Sequence, residues 1–539
     1  AATRVNADGN IEKETSNLLL QSNTFSNASW NKIGGGAFTS GQSGYDGTND
    51  AWQFDVTTTS NSGTWQNITL SGAVTFSAYF KKGTIDKIGF TDLAGSTYMC
   101  WFDLTNGTIG QQTGDLIDAQ IVSVGNGWYR CSITDIASGN NYLQLKPSNA
   151  YSGTSTAGNI YIQDAQLNQG LIAQEVITTT TTALYGGITD NVPRLDYTDS
   201  SCPALKLEPQ RTNIFTESEY FDGNAWTKYG GSSLTNNNAV SPEGVQNATK
   251  LTDAGGVYDQ IPYTPDTNYV FSLFAKTDTA TSITLNFVDQ AAGYLGGTIE
   301  YTFSTNVASV ILQSANGSVT ADKEDYGNGW IRVVLKFKTN VAQNYNYQAI
   351  EFGGGDGWIF GAQLEASATY PTSYIPTYGT SVTRNVDTAI NQGNSNLPTG
   401  YPFSLFAEVD VVDTGSGYVI TLLNSGSGAM YYTIEYYSAL WHITARPNGT
   451  TTRVASTIAP TLGTHKLLGI YTDSTMKLYL DGALIASGNN TQTWNTNIDD
   501  LLIGQLRTAG DTGTRNPVSQ ALIFNQELSN QEAIDLTTI

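Results

Sequence analysis

Four short blocks of this chain recur in the same order at nearly constant spacing, and that duplication limits the possible folds more than any other feature. Asn17, Phe25, Trp30 and Lys32 return as Asn213, Phe221, Trp226 and Lys228, an offset of 196. Phe76, Ser77 and Lys81 return as Phe271, Ser272 and Lys276 at 195. Gly125-Asn126-Gly127-Trp128-x-Arg130 returns as Gly327-Asn328-Gly329-Trp330-x-Arg332 at 202, and Ala165-Gln166-Leu167 as Ala362-Gln363-Leu364 at 197. Chance does not readily order four blocks this way, so two copies of one domain occupy about 17–168 and 213–370.

Within each copy, short alternating segments lie between turn residues. Thr75 to Phe80, Trp128 to Ile133 and Asn159 to Ile162 are examples in copy one; Ile331 to Phe337 and Trp358 to Phe360 are examples in copy two. Many short strands in about 150 residues indicate a β-sandwich of jelly-roll type. Asn-Gly at 126–127 and 328–329 marks a tight turn feeding a strand. Composition agrees, because Val, Ile, Thr and the aromatics (Trp 10, Tyr 30, Phe 19) suit strands rather than helical bundles. A length of 539 residues leaves room for a third domain.

Only 13% of residues are charged, against a usual value near 25%. The surface is therefore covered by Thr, Ser, Asn, Gln and Gly. A net charge of −22 argues against nucleic acid, which needs Lys and Arg to displace its counterions, and against docking on an anionic membrane. No apolar run approaches the roughly 20 residues that cross a bilayer. No signal peptide is recognised, and a chain starting at Ala1 without Met reads as trimmed or as part of a longer polypeptide.

Cys100, Cys131 and Cys202 cannot build a disulfide framework. A Cys100–Cys131 pair is open if their strands are neighbours; the expected state is three buried, reduced thiols. Two histidines, His442 and His465, and no Cys pairs at ligand spacing argue against zinc. No cofactor is expected.

Between the copies, 169–212 differs in kind: five threonines at Thr178–Thr182, then Pro193, Pro203 and Pro209, which exclude a central strand or helix. An extended connector, partly packed on its neighbours, is expected. The part from about 385 does not repeat the blocks. Its strands include Phe403 to Val412, Tyr431 to Tyr437, Leu467 to Thr472 and Met476 to Leu480. Asp481-Gly482 is a strong hairpin signal, and Ser529 with Glu532 has capping-box spacing for a helix at Ser529 to Leu536.

These residues resemble known families. Asn17-Leu18-Leu19-Leu20-Gln21-Ser22 with Phe25 and Trp30, the Gly-Asn-Gly-Trp-x-Arg block, and Ala-Gln-Leu followed by Tyr370-Pro371-Thr372-Ser373-Tyr374-Ile375-Pro376-Thr377 resemble a domain common in tailed-bacteriophage structural proteins. Ala2 to Gly9, Pro193 to Tyr197 and Leu207 to Asn213 resemble the connector of those proteins. Such domains are similar to jelly-roll carbohydrate-binding modules. Lys477 to Gly482, Leu502-Ile503-Gly504 and Leu522 to Ser529 resemble a concanavalin A-like, laminin-G-type sandwich. Copy one lacks the Tyr-Pro-Thr-Ser-Tyr-Ile-Pro tail, so the resemblance leaves its exit path open.

The expected architecture is all-β: an N-terminal docking arm (1–16), jelly-roll module 1 (17–168), the connector (169–212), jelly-roll module 2 (213–376) and a concanavalin A/laminin-G-like sandwich (377–539). Trp128 and Trp330, at identical points of the repeat, are expected to be structural, with Arg130 and Arg332 making local hydrogen bonds or ion pairs. Asp481 and Gly482 are likewise structural. Glycan contact is expected from loop aromatics beside Gly, Asn, Asp or Thr: Trp65, Tyr142, Tyr258, Tyr294, Trp441 and Trp494. Acidic loop residues (Asp410, Asp413, Asp473, Asp499, Asp500, Asp511) form no Asp-x-Asp-x-Asp-Gly loop, and no metal is assigned.

No Gly-x-Ser-x-Gly elbow or other transferable catalytic set is present, so the chain is not read as an enzyme. What the resemblance implies is a subunit of a phage virion (accessory fibre, tail tip or head decoration) that meets host surface polysaccharide and other virion proteins, as a homo-oligomer. The alternatives are a purely structural decoration without glycan binding, a polysaccharide depolymerase and a bacterial surface adhesin.

Overall fold

The computed structural model describes residues 3–56, 62–91, 99–113, 116–151, 157–188, 194–198, 203–206, 208–252, 255–289, 295–313, 318–339, 347–387, 397–426, 429–504 and 516–539. The chain is all-β apart from one short helix among these residues, and it forms two compact units. Unit 1 holds Lys13–Gly187 and Thr212–Val382; unit 2 holds Ala2–Glu12, Ile188–Arg211 and Thr383–Ile539.

Unit 1 contains both copies of the repeat. In module 1 two long strands, Gly63–Lys82 and Trp128–Ser148, pair without a break from Trp128↔Lys81 to Leu145↔Thr64. Lys87–Thr91 and Met99–Asp103 extend one end of this pair, and Gly158–Gln169 with Ala51–Val56 flank the other. One continuous sheet thus folds over a single core of Phe25, Trp30, Phe76, Phe90, Ile133 and Leu145. Module 2 splits the same plan into two sheets. The counterpart of the first long strand is interrupted between Gly256–Asp259 and Asn268–Thr277. Pro262 and Pro265 fall in that gap, and neither can donate to a ladder.

The repeated residues hold the same places in both cores. Phe25 packs on Trp30 with ring centroids 5.0 Å apart, and Phe221 on Trp226 at 5.2 Å. The indole N–H groups donate to Gln21 O (2.9 Å) and Glu217 O (2.7 Å). Asn126 and Asn328 take left-handed φ of 51° and 50°, so each Asn-Gly forms the tight turn its spacing predicts.

Residues 171–179, in the stretch read as connector, run along module 1 by the route that 370–377 take along module 2. Asn17 Nδ2 donates to Ala165 O and Ile177 O; Asn213 Nδ2 donates to Ala362 O and Ile375 O. Gln166 accepts from Ile177 N–H as Gln363 accepts from Ile375 N–H. Both exits are therefore strapped to the sandwich, although only Ile177/Ile375 and Thr179/Thr377 match in sequence.

Unit 2 is a two-sheet sandwich around Phe403, Tyr432, Ile434, Trp441, Tyr471 and Leu478. Strands Phe403–Val411, Gly463–Tyr471, Thr475–Leu480, Ala483–Asn489 and Val518–Phe524 lie in one sheet; Gly417–Leu423, Tyr431–Tyr437 and Leu440–Arg446 lie in the other. The proline-bearing stretch supplies two short strands to the first sheet, Arg194–Asp196 and Ala204–Lys206, joined at Leu205↔Val518. Residues of the expected docking arm are bound there too: Arg194 donates to Thr3 O (2.6 Å) and Val5 N–H to Asp196 (3.1 Å). Asp481 and Gly482 both have positive φ, 48° and 81°, closing the expected hairpin at Leu480↔Ala483. The helix Asn530–Thr537 carries the full capping box of Ser529 and Glu532. Cys100 and Cys131 are buried, free thiols of the module 1 core; Cys202 lies outside the described residues.

Candidate functional site

The strongest candidate is a face of module 1 and its counterpart in module 2. Along Gly63–Lys82, Thr64 and Gln66 point into the sandwich and are buried, so Trp65 and Asn67 point outward. Across the ladder Leu143 and Leu145 are buried, so Tyr142, Gln144 and Lys146 share the outer face. Trp65 and Tyr142 meet there with ring centroids 5.4 Å apart, and Tyr142 is 45% exposed.

The same registers recur in module 2. Thr64↔Leu145 corresponds to Val257↔Ile350, which places Tyr258 at the Trp65 position and Tyr347 at the Tyr142 position. Tyr258 and Tyr347 stack at 4.3 Å and 23°, both half-buried. Tyr229 joins them 6.0 Å from Tyr258. Beside the stack, on the neighbouring strand, the Asn286 Oδ1 is shielded from solvent and accepts no hydrogen bond. A sugar hydroxyl is a donor of the kind that acceptor lacks.

A glycine underlies both platforms. A Cβ on Gly63 would stand 3.5 Å from Lys146 Cγ, and one on Gly256 would stand 2.7 Å from Tyr229 OH. At Gly256 the missing Cβ makes room for the Tyr229 ring, whereas at Gly63 the close neighbour is the Leu145 carbonyl, 2.7 Å away.

Three of the six aromatics expected at a glycan site, Trp65, Tyr142 and Tyr258, come onto these platforms, on strands rather than in loops. Trp441 is fully buried in strand Leu440–Arg446, on the core side with Ile443 and Ala445. It therefore offers no face to a ligand. Trp494 is half-buried, stacked on Tyr432 at 5.3 Å and 13° with Tyr401 and Phe403 against it, and closes one end of the unit 2 core. Tyr294 and Asp511 lie outside the described residues. Sequence reasoning missed Tyr347; its signal was Asn346-Tyr347, which repeats Asn141-Tyr142 at an offset of 205.

Trp128 and Trp330 are buried behind their Asn-Gly turns, 1% and 2% exposed. Trp128 sits outside the main core in a cluster with Ala51 and Tyr79, on which Tyr45 stacks. Arg130 donates to Ser77 Oγ (3.1 Å) and to Gln174 O; Arg332 donates to Ser272 Oγ (2.9 Å) and Thr372 O (2.8 Å). Both guanidinium groups fasten the exit strap.

Among the described residues no group of three His, Cys, Asp or Glu side chains is placed to hold a metal ion. Asp413 accepts from Gly415 N–H in its own loop, and Asp499 accepts from Ser425 N–H of the loop that follows Gly417–Leu423. Between the modules of unit 1, a cleft of about 180 Å³ is lined by Lys13, Gln174, Tyr185 and Tyr378. It falls short of the roughly 300 Å³ at which ligand pockets begin. The open platforms have no such limit.

A family model described as the concanavalin A-like lectin/glucanases superfamily matches residues 383–533. No curated protein matches the chain. Among solved structures, the chain is similar to the native heptameric SAP-like pentraxin from Limulus polyphemus, at 13% identity over 26% of this chain and 70% of that one, with a TM-score of 0.23. It is similar to the CBM22-1–CBM22-2 tandem domain of Paenibacillus barcinonensis Xyn10C, at 12% identity over 65% and 96%, with a TM-score of 0.21. It is also similar to domains LG4-5 of the mouse laminin alpha1 chain, at 10% identity over 51% and 88%, with a TM-score of 0.20. The family match and the sandwich of unit 2 agree: residues 383–533 carry a concanavalin A-like domain.

Proposed function

We propose that this chain is a non-catalytic glycan-binding protein that displays two aromatic platforms on its duplicated modules. The carrying observation is the recurrence of an outward aromatic pair, Trp65/Tyr142 and Tyr258/Tyr347, at matching registers. A core residue repeats because packing demands it; these four side chains contribute little to the sandwich interior and repeat nonetheless. The negative face of an aromatic ring complements the C–H edges of a pyranose, and neighbouring Asn, Gln and Thr side chains suit its hydroxyls. Two platforms on one compact unit add by multivalency, and repetition on a particle multiplies the effect. The sequence blocks that resemble tailed-phage structural proteins supply the setting: a virion subunit that adheres to host surface polysaccharide.

Trp65→Ala and Tyr258→Ala are each expected to weaken oligosaccharide binding about 10- to 100-fold at the altered module, the usual cost of an aromatic anchor. Calorimetric titration against a panel of oligosaccharides checks this, with circular dichroism confirming the unchanged fold. A double variant that binds as the parent does would overturn the reading. Peptides of this chain in purified phage particles would support the virion setting; recovery only from cell envelopes would favour the adhesin instead.

A further inference from the structure

We infer that the module 1 platform takes an acidic sugar, one carrying a carboxylate, whereas the module 2 platform does not. This deepens the glycan-binding reading and rests on it. The two copies differ in charge at one equivalent point. Lys146 stands two residues beyond Gln144 on the outer face, opposite Gly63, and Glu351 holds the matching place opposite Gly256. On the adjoining strands Gly89↔Trp101 in module 1 corresponds to Thr284↔Glu300 in module 2. Module 1 thus presents one ammonium where module 2 presents two carboxylates.

Lys146 is built into its site. Its stem lies beside Gly63, and its ladder partner, Gly89, is covered by the Trp101 ring; a Cβ on Gly89 would come within 2.8 Å of that ring. The lysine is half-buried, and among the described residues no carboxylate pairs with it. Burial alone pulls its ammonium below the usual lysine range. Lys87, on the neighbouring strand, is by contrast paired with Asp86. In module 2 the Glu351 carboxylate accepts from Tyr229 OH at 3.1 Å, so an anion stands where module 1 has its ammonium. The net charge of −22 does not forbid an anionic ligand, because charges beyond about 8 Å are screened at physiological salt and the local cation decides.

The test is calorimetric titration of the full chain with tetragalacturonate, α2,3-sialyllactose and fully methyl-esterified tetragalacturonate. At least one carboxylate-bearing probe is expected to bind, and Trp65→Ala to remove that binding. Lys146→Gln should weaken it about tenfold and leave the neutral ester unchanged, with Lys146→Arg restoring it. Equal weakening of acid and ester by Lys146→Gln would overturn the inference in favour of a packing role. So would neutral probes held at Trp65 with no acidic probe bound. If no oligosaccharide of either kind binds, the glycan reading itself falls, and this inference with it.

Discussion

Asn213→Ala is expected to cost module 2 about 3–4 kcal/mol, enough to open it locally under conditions where the parent is closed. Asn213 is fully buried and uses its whole amide. Nδ2 donates to Ala362 O (3.0 Å) and Ile375 O (2.8 Å), while Oδ1 accepts from Phe215 N–H (3.2 Å) and Leu364 N–H (3.0 Å). These four backbone groups belong to three segments: the entry strand, the last long strand and the exit strap. Alanine would orphan two donors and two acceptors in a dry interior, where each unsatisfied group costs about 1–3 kcal/mol and water can repair only some. Asn17 makes the same four bonds in module 1, so Asn17→Ala should act alike there. Peptide-resolved hydrogen exchange suits a chain of several domains: protection should fall across 213–225 and 357–377 while module 1 stays protected. Unchanged protection in the Asn213→Ala chain would refute the role.

This pair also shows what a sequence reader can and cannot see. Asn17 and Asn213 stand out because a bond set of that geometry tolerates one side chain, and the same holds for Arg130 and Arg332. Their partners on the strap do not stand out, because Gln174 and Thr372 contribute carbonyl oxygens, which any residue has. The exit path of module 1 was therefore invisible although it is repeated. The platforms were half visible. Trp65, Tyr142 and Tyr258 have polar neighbours, but so do Trp441 and Trp494, and neighbours along the chain do not tell which face of a strand is wet. Alternation does: Trp441, Ile443 and Ala445 share the inner face of one strand, and that period would have placed Trp441 in the core. Lys146 and Glu351 share the offset of 205 that relates Tyr142 to Tyr347, but only the ladder shows that this opposite pair lies on the outer face beside the platforms.

Unit 1 is expected to lose stability as pH rises from 7 to 9, by about 1–3 kcal/mol, and Glu217→Gln to remove most of that slope. The seam between modules 1 and 2 is tight: a Cβ on Gly72 would lie 2.0 Å from Tyr378 O. Beside it the Lys13 ammonium bridges Glu219 (3.0 Å) and Glu243 (2.8 Å) and donates to Tyr378 OH (2.8 Å). Glu217, bridged through its backbone to Tyr378, is only 8% exposed, and its Oε2 has no partner. Burial first, and the nearby Glu219 charge second, push its carboxyl up to about 8. The folded value thus lies above the unfolded one near 4.3, so the folded state holds this proton more tightly. Its stabilising contribution is complete below the unfolded value and is lost as pH rises through 8. Asp164 and Asp259, raised by burial to about 6, carry the same sign but have largely titrated by pH 7. Glu243, raised by burial, also contributes at the lower end of the window, so the interval near 8 reports mainly on Glu217. Glutamine keeps the shape and never ionises. Calorimetric melting of the parent at pH 7 and 9 should show unit 1 falling by several degrees, and Glu217→Gln should melt higher than the parent at pH 9. An identical slope in both proteins would mean that Glu217 ionises without cost and that the seam tolerates an unpaired charge.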